Sequence, residues 1–263
     1  MGPGDKHRDD TSLFIKSVDS SNMMEFSILQ RVAPMSPRIP AALVHIFTAS
    51  GVACALYAML ALMRDDWQAM FAWLGAALII DALDGPMARR LHVKKHLPRF
   101  DGERLDLIID YITYVFVPAV ALVRAGFLPG PLGQLLAAGI LMSSLFHFSD
   151  TQSKTEDNCF VGFPAIWNVV ALYFFAFAAP AWPAMTITTV CVALTFVPLK
   201  WVHPVRVAAW RPLTAACCAL WGMGALWVLI DGFPVGVWPR LALALGGLYA
   251  IGLVAWHGRA LER

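Results

Sequence analysis

The strongest constraint on this chain is a succession of apolar segments, each about as long as a membrane-spanning helix. About 20 apolar residues are enough for a helix to cross the hydrocarbon core of a bilayer. Hydrophobic residues make up 59% of the sequence and charged residues only 14%, unlike a water-soluble domain. We therefore predict an all-α fold, a polytopic membrane helical bundle with about eight transmembrane helices. The predicted spans are 41–63, 67–89, 105–128, 132–148, 163–179, 184–201, 213–229 and 237–256.

The distribution of Lys and Arg predicts how these spans are oriented. If both termini lie on one side, all but three of the 20 Lys and Arg residues lie on that side too, and the exceptions are Arg64, Arg124 and Arg240. Cytoplasmic loops of membrane proteins carry an excess of these residues. Both termini and the loops after spans two, four and six are therefore predicted to be cytoplasmic. Because the positive residues are confined to particular loops, we do not expect nucleic acid as a partner.

The first 39 residues differ from the rest of the chain. They are polar and mixed in charge, and we expect a cytoplasmic tail over 1–39 followed by a transmembrane domain over 40–263. Two interpretations of residues 23–32 stay open: a short amphipathic helix on the membrane surface, or part of a plain tail.

Four aspartates stand at the ends of two apolar segments, where ionisable residues are costly and usually functional. Asp81 and Asp84 are three residues apart, and Asp106 and Asp110 are four residues apart. Either spacing places both side chains on one face of a helix. If the two helices pack side by side, the carboxylates converge, and their repulsion favours a bound cation. Oxygen ligands of this kind suit Mg²⁺ or Mn²⁺.

The residues around these aspartates form a longer pattern. It reads D-x2-D-G-x2-A-R, then twelve residues, then G-x3-D-x3-D, and it extends from Asp81 to Asp110. This pattern resembles the signature of the CDP-alcohol phosphotransferases, integral membrane enzymes that build phospholipids. The twelve-residue spacer resembles the branch of bacterial phosphatidylcholine synthases, as do LVHIFTASGVACAL at 43–56, LDLIIDYITYVFVP at 105–118 and GFPAIWNVV at 162–170.

The resemblance implies a reaction and a set of site residues. The expected reaction transfers the phosphatidyl group of CDP-diacylglycerol to choline, giving phosphatidylcholine and CMP. Two metal ions, Mg²⁺ or Mn²⁺, would bind Asp81, Asp84, Asp106 and Asp110, and Asp110 would also be the general base. The residues expected to bind CDP are Asp84, Gly85, Ala88, Arg89 and Gly102. The resemblance also implies a homodimer in the bacterial inner membrane, with its active site on the cytoplasmic side.

Choline carries a quaternary ammonium, which aromatic faces attract through cation–π interactions. A nearby carboxylate adds further attraction. The candidates for this contact are Trp167, Asn168, Tyr111, Tyr114, Asp150 and Glu156. The alternative interpretation is an interfacial belt of aromatic residues and a solvated acidic loop.

Two other functions remain open at this stage. Within the same family, the acceptor alcohol could be serine, inositol or glycerol phosphate. In a different class, an ion-coupled transporter would also place acidic residues inside apolar helices. A transporter does not account for the Gly, Ala and Arg residues that alternate with the four aspartates.

Overall fold

The fold is taken from a computed structural model, which describes residues 36–150, 160–201 and 211–260. The predicted surface helix at 23–32 and the choline candidate Glu156 lie outside the described residues. The described part contains ten α-helices, one π-helical turn and two short strands. In chain order they are α1 (Arg38–Met63), α2 (Trp67–Arg90), α3 (Val93–His96), α4 (Gly102–Asp110), the π-helical turn (Tyr111–Phe116), α5 (Val117–Arg124), α6 (Gly130–Ser149), β1 (Phe160–Val161), α7 (Trp167–Ala176), α8 (Ala181–Leu194), β2 (Lys200–Trp201), α9 (Arg211–Asp231) and α10 (Val237–Ala260).

The helical membrane bundle predicted from the sequence is confirmed. Six stretches in the described part are long and apolar enough to cross a membrane: Arg38–Met63, Trp67–Arg90, Gly102–Arg124, Gly130–Ser149, Pro212–Asp231 and Val237–Val254. The stretch Gly102–Arg124 combines α4, the π-helical turn and α5. These six correspond to predicted spans one to four, seven and eight, so the chain is a multi-pass membrane protein.

Predicted spans five and six differ from the structure. Their places are taken by α7 and α8, which have 10 and 14 residues and are shorter than a usual membrane-crossing helix. Proline disfavours helical structure at the preceding residue, so Pro164 limits the start of α7 and Pro180 separates α7 from α8. Helix α8 ends at Leu194, before Pro198 is reached. The predicted count of eight spans is therefore not confirmed.

The segment after α8 also forms a local pairing that the sequence did not predict. Strand β1 pairs with β2 in antiparallel register, with Phe160 opposite Trp201 and Val161 opposite Lys200. The residues predicted to complete span six thus lie in extended structure beside the segment that leads to α7.

Two aspartate caps fix where the site-bearing helices begin. Asp66 accepts a hydrogen bond from the backbone amide of Ala69 at the start of α2 (3.0 Å). Asp101 accepts from the amides of Glu103 (3.1 Å) and Arg104 (3.3 Å) at the start of α4. Such caps pair amides that have no partner within the first turn of a helix.

Helix α1 packs along α2 and also contacts α4 and the π-helical turn. The approach to α4 is close at Gly51, where an added Cβ would lie only 2.8 Å from Cγ2 of Ile109. A side chain at position 51 would push the helices apart, because the branched Ile109 has little rotational freedom. Gly51 therefore sets the distance of α1 from the helix that carries Asp106 and Asp110.

Candidate metal and phosphate site

Three of the four motif aspartates come together between α2 and α4. One carboxylate oxygen from each of Asp81, Asp84 and Asp106 lies within 4.8 Å of the other two, a grouping that could hold a metal ion. Asp84 is buried, with 6% of its surface exposed, whereas Asp81 and Asp106 are half-buried. Three hard oxygen donors at this separation fit a divalent cation such as Mg²⁺ or Mn²⁺.

Asp110 lies beside this group and does not belong to it. It is half-buried at the last residue of α4, one turn beyond Asp106. Both carboxylates are close enough to the Tyr114 hydroxyl to influence it electrostatically. Asp110 is thus near the cluster, on the same helix as Asp106.

The buried carboxylate of Asp84 has partners from two helices. The Thr48 hydroxyl of α1, the backbone amide of Gly85 and the charge of the Arg89 guanidinium each favour the ionised form of Asp84, although the Thr48 hydroxyl itself donates to the backbone oxygen of Val44 (3.2 Å). A buried charge is tolerated only when hydrogen bonds or an opposite charge offset its loss of hydration. These neighbours reduce the cost of burial, so the contact of α1 with α2 contributes to keeping a carboxylate at this depth.

Arg89 lies back over the helix that carries it. A Cβ added to Gly85, one turn earlier, would lie 3.3 Å from Nη1 of Arg89. The missing side chain of Gly85 therefore leaves room for the guanidinium. Arg89 is itself exposed, and a guanidinium can bind a phosphate through paired, charge-assisted hydrogen bonds. Ala88 packs beside a small apolar cluster of Ala41, Val44 and Val93, so its small side chain keeps α2 close to α1.

Gly102 has a neighbour that the sequence pattern does not reveal. A Cβ at this position would lie 3.2 Å from Cε1 of His45 on α1, and the His45 ring packs edge-on against Phe100, with 6.1 Å between the ring centroids. Nε2 of His45 is buried without a hydrogen-bond partner among the residues that the structure describes. An unpaired buried nitrogen is costly, and His45 lies one turn before Thr48 on α1.

The hydroxyl of Tyr114 also reaches the carboxylates. It donates a hydrogen bond of 2.5 Å to Oδ2 of Asp81. Tyr114 belongs to the π-helical turn that follows Asp110, and such turns occur frequently at functional sites. The sequence analysis included Tyr114 only as an aromatic face for choline, because spacing alone does not show where its hydroxyl points.

The other choline candidates make several separate contacts. Trp167 is fully buried, and its indole nitrogen donates to Oγ of Ser144 (3.0 Å). The Tyr111 hydroxyl donates to the backbone oxygen of Leu141 (3.1 Å), and Oδ1 of Asn168 accepts from the Val169 amide (2.9 Å). Asp150 is exposed and lines a cavity of about 410 Å³ at the end of α6, together with Phe146, Ser149 and Phe196 among others.

Several curated relatives similar to this chain are named phosphatidylcholine synthase. The relative from Bradyrhizobium diazoefficiens is 48% identical over 202 residues, which cover 77% of this chain and 75% of the relative. The relative from Pseudomonas aeruginosa is 43% identical over 220 residues (81% and 90%), and that from Agrobacterium fabrum is 42% identical over 206 residues (78% and 86%). No protein-family model matches the chain. The likeness to the relatives covers most of both chains in each pair.

The carboxylate cluster leads to a prediction about metal binding. We expect Asp106→Asn to weaken the binding of Mn²⁺ to the purified protein at least about tenfold, because changes around metal ligands commonly cost this much. Titration with Mn²⁺, followed by electron paramagnetic resonance, measures this affinity directly. Asp101→Asn is the matched control: it removes the same charge from an exposed residue outside the cluster, and Asn also caps helices. Equal affinity of Asp106→Asn and the unchanged protein would contradict a metal-binding role of this residue.

Proposed function

Since the chain belongs to the phosphatidylcholine synthase family, we propose that it transfers the phosphatidyl group of CDP-diacylglycerol to the hydroxyl of choline. The products are phosphatidylcholine and CMP. Identity of 40% or more to named synthases over about four fifths of the chain supports this activity. The observation that carries the chemical part of the proposal is the cluster of Asp81, Asp84 and Asp106 inside a membrane bundle, since lipid synthesis from a nucleotide-activated donor needs a charged site within reach of the bilayer.

A divalent cation fits the residues of the site. Asp81, Asp84 and Asp106 would hold it through carboxylate oxygens, and Asp110 would complete a site for two ions. Mg²⁺ or Mn²⁺ bound there would supply positive charge that offsets the charge on the pyrophosphate of the donor and on the departing CMP. The three clustered oxygens support this proposal.

The transfer itself requires one bond to form and one to break. The choline oxygen attacks the phosphorus that carries the diacylglycerol, and the bond from that phosphorus to the bridging oxygen of CMP breaks. Asp110 takes the proton of the choline hydroxyl, and the electron pair of the broken bond leaves with CMP. The position of Asp110, one turn from Asp106 and outside the group of three, supports its assignment as general base.

Residues around the cluster would bind the nucleotide portion of the donor. Arg89 would bind a phosphate, and the small residues Gly85 and Ala88 would leave space on α2 for the nucleotide to approach. His45 and Gly102 lie one helical turn from Thr48 and Asp106, respectively. We assign the unpaired Nε2 of His45 to a hydrogen bond with the nucleotide, because the nucleotide extends from the pyrophosphate towards the polar end of the helices. In this arrangement Gly102 makes room for the His45 ring.

The surroundings of the site complete the proposal. The cytoplasmic side of a bacterial inner membrane fits the Lys and Arg distribution, and a homodimer stays a prediction from the family resemblance. Choline contact with Trp167, Asn168, Tyr111, Tyr114, Asp150 or Glu156 also stays a prediction. A bound choline would need exposed ring faces or carboxylate oxygens, and the Trp167 ring is fully buried.

The experiment that tests the activity compares acceptors. Purified protein in detergent is given CDP-diacylglycerol, Mg²⁺ or Mn²⁺ and either choline, serine, inositol or glycerol 3-phosphate, and CMP release and lipid products are measured. We expect CMP and phosphatidylcholine with choline, and neither when EDTA removes the metal. CMP release with another alcohol, and none with choline, would show that the other alcohol is the acceptor. No release with any acceptor by folded protein would contradict the transferase activity and favour a transporter.

Asp110→Asn separates chemistry from donor binding. We expect the turnover number to fall about 100- to 10,000-fold, the usual contribution of a general base. Much of the affinity for CDP-diacylglycerol should remain, because the three clustered carboxylates are unchanged. Turnover is measured by CMP release at saturating choline, and donor affinity by binding of CDP-diacylglycerol. Near-normal turnover would show that Asp110 is not the base.

Two substitutions of His45 test the nucleotide contact. Gln places a polar group close to the position of Nε2, whereas Asn places one close to that of Nδ1. We expect His45→Asn to raise KM for CDP-diacylglycerol about tenfold, the effect of losing one hydrogen bond, with kcat changed less. His45→Gln should retain most of the affinity. Equal KM values for the two variants and the unchanged protein would remove this contact from the proposal.

A further inference from the structure

The π-helical turn Tyr111–Phe116 lies directly after Asp110, within the stretch that crosses the membrane. A π-helical turn pairs each amide with the carbonyl five residues earlier, so it shifts the direction of the side chains that follow relative to a regular α-helix. The two tyrosines of the turn reach different neighbours. The hydroxyl of Tyr111 donates to Leu141 on α6, and that of Tyr114 donates to Asp81 on α2.

The surroundings of the Tyr114 hydroxyl are strongly negative. Besides its partner Asp81, it is influenced by the charges of Asp106 and Asp110. A phenol that keeps its proton is a donor that can stabilise a carboxylate in such a place without adding a charge. The hydrogen bond crosses from the third to the second membrane-spanning stretch, so it also fixes the position of one helix relative to the other at the level of the cluster.

We propose that Tyr114 is a positioning residue, whose hydroxyl holds Asp81 in the orientation that lets its carboxylate bind a divalent cation together with Asp84 and Asp106. This inference rests on the proposed metal-dependent transfer and assigns Tyr114 a task other than choline binding. This hydrogen bond uses one accepting position of the carboxylate oxygen Oδ2. The second oxygen of Asp81 keeps its full capacity to accept.

The physical reason for such a residue is the repulsion within the cluster. Three carboxylates whose oxygens lie within 4.8 Å of one another repel each other and would rotate apart without restraint. For Asp84, the Gly85 amide and the charge of Arg89 favour the ionised carboxylate. For Asp81, the hydrogen bond from Tyr114 has the corresponding effect. Groups that orient metal ligands in this way typically change metal affinity 10- to 100-fold when they are removed.

The test is a Mn²⁺ titration of purified protein, followed by electron paramagnetic resonance without substrates. We expect Tyr114→Phe to weaken Mn²⁺ binding about 10- to 100-fold. Tyr111→Phe is the matched control for metal affinity, because it removes a hydroxyl from the same turn that points to α6, and it should leave Mn²⁺ binding unchanged. Circular dichroism and thermal unfolding of both variants check that the bundle is intact.

A double-mutant cycle measures the coupling between Tyr114 and Asp81 in Mn²⁺ binding. If Tyr114 acts through Asp81, Tyr114→Phe should weaken Mn²⁺ binding much less when Asp81→Asn is already present, since coupled residues are not additive. Additive effects would overturn the proposal, as would unchanged Mn²⁺ affinity in Tyr114→Phe or an equal loss in Tyr111→Phe.

Kinetics distinguish this inference from the proposed function. With CDP-diacylglycerol and choline, Tyr114→Phe should raise the Mn²⁺ concentration needed for half-maximal CMP release by the same factor, while KM for choline at saturating Mn²⁺ stays within about twofold. A raised KM for choline with unchanged Mn²⁺ affinity would contradict the positioning role and indicate that Tyr114 binds choline. Absence of CMP release by the unchanged protein, with the Mn²⁺ effect intact, would refute the proposed transfer and leave the role of Tyr114 in metal binding standing.

Discussion

The structure depends on keeping carboxylates charged and close together inside helices that are otherwise apolar. Each carboxylate in such a place loses hydration, and the three together repel one another. The bundle offsets this with contacts from several directions: Thr48 from α1 and Arg89 from α2 act on Asp84, and Tyr114 from the π-helical turn acts on Asp81. A divalent cation would neutralise the remaining negative charge of the carboxylates. The cluster thus constrains how α1, α2 and the stretch from α4 to α5 can pack.

Small residues permit the packing that these contacts require. Gly51 allows α1 to approach Ile109 on α4, and Gly102 leaves space for the His45 ring. Gly85 leaves space for the Arg89 guanidinium. Two of these glycines, Gly85 and Gly102, belong to the sequence signature and are expected to bind CDP. In the structure these glycines also leave space for side chains of the protein itself. A larger residue at Gly102 or Gly85 would therefore displace His45 or Arg89.

Polar contacts at the opposite ends of the same helices connect the bundle away from the site. Asp65, in the turn between α1 and α2, forms a two-pronged ion pair with Arg124 at the end of α5 (2.8 and 2.9 Å). This pair is exposed and adds little to the free energy of unfolding. Arg240 donates from α10 to the last carbonyl of α7, that of Ala176 (2.8 Å), where a helix end carries partial negative charge. Arg124 and Arg240, two of the three Arg residues outside the predicted cytoplasmic side, therefore have structural partners.

The membrane bundle and the place of the carboxylates were predictable from local information. Length and polarity of the apolar segments determine which parts can cross a bilayer, and the spacing of Asp81 and Asp84 determines that they share a helical face. Local information was insufficient at 163–201, where the short helices α7 and α8 stand in place of two full spans. Composition over a window of 20 residues does not show where a helix ends.

What the sequence by itself determined was the class of fold and the set of acidic and basic residues at the site, because hydrophobicity and helical periodicity are properties of short segments. Only the tertiary structure decided that Asp106 joins Asp81 and Asp84 while Asp110 stands beside them. It also decided that Tyr114 turns its hydroxyl to Asp81, and that His45 meets Gly102. These contacts join residues up to 57 positions apart. Their geometry follows from the distance between helices and from one π-helical turn, and neither is encoded in the spacing of residues along a single helix.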